Sequence, residues 1–150
     1  MKLTDTIALV LKSKDKSRVV SATPDQSVYE AIEKMALESV GALLVISGGK
    51  LVGILSERDY ARKVILQGKS SKQTQVKEIM TTPAIFVTPE HTVEDSMRIM
   101  TDKHIRHLPV VEDGKIMGVV SIGDLVKWMI SAQQQTISQL HNYITSSYPG

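Results

Sequence analysis

The sequence predicts an α+β (α/β) fold built from two repeated β-α-β-β-α units that pack their sheets together. Three observations carry this. The first is internal similarity: sliding the 150-residue chain by 65 positions lays Thr23-Pro24-Asp25 on Thr88-Pro89-Glu90, and Val28 on Val93. The same shift lays Met35 on Met100, Leu43 on Leu108, Val45 on Val110, Gly53 on Gly118, Ser56 on Ser121 and Asp59 on Asp124. So many matches in one ungapped register mark a duplication. The second is a helical period in the first half of each copy. The third is a pair of apolar runs joined by glycine turns in the second half.

The elements follow in order. Val19-Val20 and Ile85-Phe86-Val87 read as short strands entering a Thr-Pro turn. Ser27 to Glu30 and Thr92 to Asp95 have capping-box spacing. They open helices with Val28, Ile32, Met35 and Ala36, and Val93, Met97 and Met100, on one face. Leu43 to Ile46 and Leu51 to Leu55 flank Ser47-Gly48-Gly49-Lys50; Leu108 to Val111 and Ile116 to Val120 flank Glu112-Asp113-Gly114-Lys115. Gly-Gly and Asp-Gly in such places are hairpin signals. A last helix runs from Glu57 to Gln67, stopped by Gly68, and another begins at Ile122. The run Ala42 to Ile46 is apolar throughout, as expected of a strand covered on both faces. The organisation is therefore a helical lead-in (1–17), copy one (18–68), a polar linker and hinge (69–82), copy two (83–131) and a helical tail (132–150). The tail carries an Ile137, Leu140, Ile144 stripe. Met35, Met97, Met100 and Met117 read as core filler.

Composition narrows the chemistry. With 18 Lys and Arg against 16 Asp and Glu, a net charge of +2 makes no field for a phosphate backbone. Aromatic residues are 4% of the chain, too few for a base-stacking platform, so nucleic acid is not an expected partner. The absence of cysteine excludes thiolate nucleophiles and disulfides. The four histidines lack metal-ligand spacing, and no metal is expected. No apolar run approaches the roughly 20 residues of a membrane span or has signal-peptide flanks, so a cytoplasmic location is expected.

The segments Gly53-Ile-Leu-Ser-Glu-Arg-Asp59, Glu78-Ile-Met-Thr-Thr-Pro83, His107-Leu-Pro-Val-Val111 and Gly118-Val-Val-Ser-Ile-Gly-Asp124, taken together, resemble the cystathionine β-synthase (CBS) domain. Two copies in tandem resemble a Bateman module, over about residues 5 to 130, and are most similar to stand-alone two-CBS proteins. The resemblance implies a pseudo-twofold pair, dimerisation, and clefts between the copies that hold adenine nucleotides. It assigns one cleft to Ser56, Arg58, Asp59, Ala84, Ile85, Ile105, Arg106, His107 and Pro109. The other is assigned to Val19, Val20, Val40, Gly41, Ala42, Leu44, Ser121 and Asp124.

The residues themselves leave two readings of each Ser-x-x-Asp. A carboxylate there can accept both hydroxyls of a ribose. The same spacing is a helix capping box, and Asp59 can also pair with Lys63 one turn on. Lys103-His104-Ile105-Arg106-His107 is the densest positive run of copy two: a solvated turn, a metal pair of His104 and His107 that lacks a third ligand, or, as the resemblance implies, a phosphate contact by Arg106 and His107 at the Asp59 cleft. Their counterparts in copy one are Gly41 and Ala42, so the two clefts differ in charge. Arg18 is a candidate to compensate.

The expectation is a regulatory, energy-sensing module. It has no enzymatic activity and no cofactor, and it takes AMP, ADP, ATP or an NAD-type molecule as its ligand. A homodimer is expected through the helices carrying Tyr60, Val64, Ile65 and Val126, Trp128, Met129, along with an unidentified protein target. The alternatives are a structural dimerisation module with vestigial clefts, or a nucleotide-phosphate hydrolase using His104 or His107.

Overall fold

The computed structural model describes residues 2–14 and 19–147, with side chains to residue 142. Arg18 lies outside the described residues, and so does the side chain of Ile144. In chain order the elements are α1 (Ile7–Ser13), β1 (Ser21–Ala22), α2 (Val28–Glu38), β2 (Ala42–Ser47), β3 (Lys50–Ser56) and α3 (Glu57–Tyr60). After α3 the chain widens into a π turn (Ala61–Ile65). Then come α4 (Val76–Ile79), α5 (Val93–Lys103), β4 (His107–Glu112), β5 (Lys115–Ser121) and α6 (Ile122–Ser147). The fold is α+β, and its helix-strand-strand-helix order repeats as the sequence predicts, with a leading strand as an element in the first copy alone among the described residues.

The chain divides into two compact units. One is Arg18–Phe86 with Val111–Gly118; the other is Met1–Ser17, Val87–Val110 and Val119–Gly150. In the first, β1 runs parallel to β2 and β2 antiparallel to β3. Its core joins Ala22, Val28, Ala31, Met35, Leu43, Val45, Leu55, Val64, Val76 and Ile79. In the second, the buried set is Ile7, Val10, Val87, Val93, Met100, Leu108, Val110, Val120, Leu125 and Trp128. Seven of these lie 65 positions after a core or half-buried residue of the first unit. Where the first unit buries Ala31, the second buries Ser96, whose hydroxyl is satisfied by donating to Thr92 O at 3.0 Å.

Of the other three core positions, Trp128 falls on the exposed Lys63, while Ile7 and Val10 have counterparts at a different offset. In the first unit α4 lies on the turn before α2: Val76 N donates to Gln26 O at 2.8 Å and Lys77 N to Pro24 O at 2.9 Å. In the second, Ile7 N donates to His91 O at 2.8 Å and Ala8 N to Pro89 O at 3.0 Å. Thus α1 stands to copy two as α4 stands to copy one. Each short helix is packed by the copy that does not follow it in sequence. Sequence comparison leaves residues 1–17 outside the repeat, and the structure gives α1 a place in it.

Local chemistry explains the element ends. Ser27 and Thr92 accept the N–H of Glu30 and Asp95, and Asp95 closes the box back onto Thr92 N. Both helices end on a residue with φ of 55°, Ser39 and His104. The hairpin tips turn through Gly48 and Gly49 (φ 57° and 78°) and Asp113 and Gly114 (φ 51° and 77°), the backbone of a type I′ turn.

Four expectations need correction. β1 falls at Ser21–Ala22, two residues after Val19-Val20, because the ladder pairs Ser21 with Leu44 and Ala22 with Val45. Of Ile85-Phe86-Val87 only Val87 pairs, with Val110. Val64 and Trp128 are buried in their own units and are not at the surface: the π turn rotates Val64 inward, and the Trp128 indole donates to Lys2 O and Asp5 Oδ2, both at 3.2 Å. Met117 is 48% exposed and is no core filler, while Met35 and Met100 are buried.

Candidate functional site

The Ser56 to Asp59 turn is built by the end of β3. Glu57 N donates to Gly41 O at 3.1 Å, which starts α3 where β2 begins. Asp59 N donates to Ser56 Oγ at 3.1 Å, and Ser56 N donates back to Asp59 Oδ2 at 3.0 Å. The capping box is therefore closed. Asp59 is only 8% exposed and accepts more: Thr81 Oγ1 donates to Oδ1 at 3.2 Å and Lys63 Nζ sits 3.1 Å from the same oxygen. Lys63 also donates to Ile79 O at 3.0 Å, tying this helix to the end of α4. The expected Asp59–Lys63 pair is present.

The second turn repeats the plan with different partners. Ile122 N donates to Arg106 O at 2.8 Å. Ser121 N donates to Asp124 Oδ2 at 2.8 Å and Asp124 N to Ser121 Oγ at 3.1 Å. The cation on Asp124 is Lys14, whose Nζ lies 2.8 Å from Oδ2 and donates to Val119 O at 2.8 Å. Burial works against the charged form of Asp124. The bonds from Lys14 and Ser121 outweigh it and hold the carboxyl below the usual carboxylate range. Each turn is thus a rigid carboxylate with a lysine at its side.

The model of the CBS domain matches residues 15–65 and again residues 76–131. The chain belongs to the CBS domain family. Its sequence is 45% identical over 151 aligned positions to the mitochondrial CBS domain-containing protein CBSX3 of Arabidopsis thaliana, covering 95% of this chain and 73% of that one. A solved CBS-domain protein from Burkholderia ambifaria MC40-6 superposes with a TM-score of 0.81 at 47% identity, covering 85% of this chain and 96% of that one. A hexameric CBS-CP12 protein from bloom-forming cyanobacteria superposes at 0.72 with 26% identity, covering 84% and 72%. Tandem CBS proteins are in general regulatory and ligand-binding.

Within the CBS copies the other predicted site residues are placed as follows. Ser56, Arg58, Asp59, Ala84 and Ile85 belong to the first unit with Val19, Val20, Val40, Gly41, Ala42 and Leu44. Ile105, Arg106, His107, Pro109, Ser121 and Asp124 belong to the second. Several work through the backbone: Val20 O accepts Leu44 N at 3.1 Å, and Pro109 O accepts Val87 N at 2.9 Å. The side chain of Leu44 is buried, Val19 and Arg106 are exposed, and Ala84, Ile85 and His107 are half-buried. His104 is the left-handed cap of α5, the place Ser39 holds on α2. Among the described residues no cluster of three His, Asp or Glu could hold a metal ion. Nor is any helix there long and apolar enough to cross a membrane.

Sequence reasoning missed Thr81 and Lys14. Thr81 stands inside the quoted hinge, so its signal was present. Lys14 lies in a polar run 110 positions from Asp124, and nothing in the spacing links them.

Proposed function

We propose that this CBS protein is a non-catalytic regulatory module that binds an adenine nucleotide, with Asp59 and Asp124 holding the ribose. The observation that carries the reading is the pair of Ser-x-x-Asp turns, each fixed by backbone bonds at equivalent positions. A carboxylate offers about four lone-pair directions, so a ribose diol can share an oxygen or displace the lysine beside it. Lys63, with a side chain 45% exposed, is readily displaced. Arg106 and His107 are proposed for the phosphate of the Asp59 site, where a guanidinium can hold it bidentately. AMP, ADP, ATP and NAD-type molecules all share the required ribose. The ligand acts as a regulator and not as a cofactor, and the output goes to a protein target. The proposed compartment is the cytoplasm; the Arabidopsis relative is named as mitochondrial.

One observation favours a structural module with vestigial sites: both aspartates already have partners within the chain. Thermal melting with AMP, ADP, ATP and NAD separates the two. Ligand at 100 times its dissociation constant stabilises the native state by about 2.7 kcal/mol. For a chain of this size each kcal/mol raises Tm by about 2–4 °C. A rise of roughly 5–10 °C with at least one nucleotide is therefore expected. No rise with any of them, in protein shown by acid extraction and chromatography to carry no nucleotide, overturns the sensor reading.

We also propose a homodimer. Val126, Ile130, Ile137 and Leu140 on α6 are 40–64% exposed, and their spacing of four, seven and three keeps one helical seam apolar. Ile65 and Leu66 add exposed apolar surface after α3. Hexamers of the cyanobacterial relative support self-association in such proteins. Light scattering at tens of micromolar should give twice the chain mass, and Ile137→Lys with Leu140→Lys should give a monomer. A monomeric wild type refutes the proposal.

A further inference from the structure

We infer that Lys14 sets the ligand preference of the Asp124 site, making it select a nucleoside phosphate over a neutral nucleoside; this rests on the nucleotide reading above. The argument starts from two equivalent carbonyls. Ile54 and Val119 are 65 positions apart, as are Asp59 and Asp124. In the first unit Ile54 O accepts the backbone N–H of Thr81 at 2.8 Å, and Asp59 accepts the Thr81 hydroxyl at 3.2 Å. In the second, one ammonium does both: Lys14 Nζ donates to Val119 O and to Asp124 Oδ2, each at 2.8 Å. Thr81 and Lys14 each come just after the short helix that their unit packs, α4 ending at Ile79 and α1 at Ser13. The same place in the two units is therefore filled by a neutral hydroxyl in one and by a cation in the other.

Among the described residues the cation paired with Asp124 comes from the end of α1 and not from the aspartate's own helix. Asp59 pairs with Lys63 one turn along. The residue 65 positions after Lys63 is Trp128, whose indole is committed to Lys2 and Asp5. Among the described residues Lys14 is the ammonium that sits on Asp124, and at 24% side-chain exposure it is less solvated than Lys63. A neutral ribose that displaces Lys14 from the Asp124 carboxylate leaves this ammonium hydrogen-bonded to Val119 O alone. Partly desolvated charge without a counter-charge is costly. A nucleoside phosphate brings the counter-charge with it, so Lys14 can move from carboxylate to phosphate without losing an ion pair.

Calorimetric titration of adenosine and of AMP tests this on wild type, Lys14→Gln, Lys14→Arg and Asp124→Ala. The event read is the one that Asp124→Ala abolishes. Glutamine still donates to Val119 O, so the variant removes charge while keeping a hydrogen bond, and its folding is checked by melting. In Lys14→Gln the preference for AMP over adenosine should fall about ten- to a hundred-fold, the worth of one charge-assisted bond. Lys14→Arg should keep the preference within about three-fold, since the charge is retained. Equal changes for both ligands, or none, with a wild-type event that still depends on Asp124, overturn the role of Lys14 and leave nucleotide binding standing. No heat from either ligand with any protein overturns both.

Discussion

Gly53→Ala is expected to lower the melting temperature by roughly 5–10 °C. A methyl group at this position meets Thr81 O at 3.0 Å, Met80 Sδ at 2.7 Å and Met80 Cγ at 3.1 Å. The methionine side chain can swing away. The carbonyl cannot, because Thr81 O accepts Ile54 N at 3.0 Å while Thr81 N donates to Ile54 O at 2.8 Å. Overpacking of this kind costs about 1–3 kcal/mol. Near the upper end of that range, at about 2–4 °C per kcal/mol, the stated fall follows. The damage should reach Asp59, whose Oδ1 accepts the Thr81 hydroxyl. Gly123→Ala is the control: its methyl group would meet only Ser121 Oγ at 3.6 Å, an ordinary contact. It should leave Tm unchanged or slightly raised. Equal melting of Gly53→Ala and wild type would show that the close approach of β3 to Thr81 is unimportant.

Arg106→Ala should weaken AMP at the Asp59 site about ten- to a hundred-fold, as expected from losing one charge-assisted hydrogen bond of about 1.5–3 kcal/mol. Adenosine has no phosphate and should bind as before. Asp59→Ala should weaken both ligands alike, since the ribose is common to them, and will also destabilise the first unit by opening its capping box. Asp124→Ala should leave the phosphate-sensitive event at the Asp59 site intact. Calorimetry on the three variants reads the pattern. If Arg106→Ala weakens adenosine as much as AMP, Arg106 shapes the fold and does not bind phosphate.

Much of the fold was legible because the duplication preserves short-range signals. Capping at Ser27 and Thr92, positive φ at the two hairpin tips, and three successive buried residues Leu43, Leu44 and Val45 all follow from neighbours in sequence. What failed depended on distant partners. Strand propensity pointed to Val19-Val20, yet the register with β2 chose Ser21–Ala22. A dimer interface on the last helix of each copy put Val64 at the surface, but the π turn at Ala61–Ile65 holds it in the core of its own unit. Both Ser-x-x-Asp turns were found from spacing, and their capping geometry was one of the two readings offered. The groups that complete them, Thr81 and Lys14, were not found, because each reaches its aspartate through the packing of a separate short helix. In the sequence the equivalence of α1 and α4 leaves little trace beyond Ile7 and Val10 matching Val76 and Ile79, at a shift of 69 and not 65.

That arrangement of α1 has a consequence during protein synthesis. Helix α1 leaves the ribosome before any of its partners and is among the last elements to find its place. Its partners are His91 and Pro89, then Lys14's partner Asp124, and finally Trp128, which donates to Lys2 O. At about 5–20 residues per second, α1 waits on the order of ten seconds after its own synthesis. Over that interval Ile7 and Val10, fully buried in the finished protein, have no surface to rest on. The stretch from Arg18 to Phe86 meanwhile has nearly all of its own unit in hand. A nascent chain with residues up to 86 outside the ribosome should therefore hold one ordered unit preceded by an amphipathic segment that a chaperone can grip.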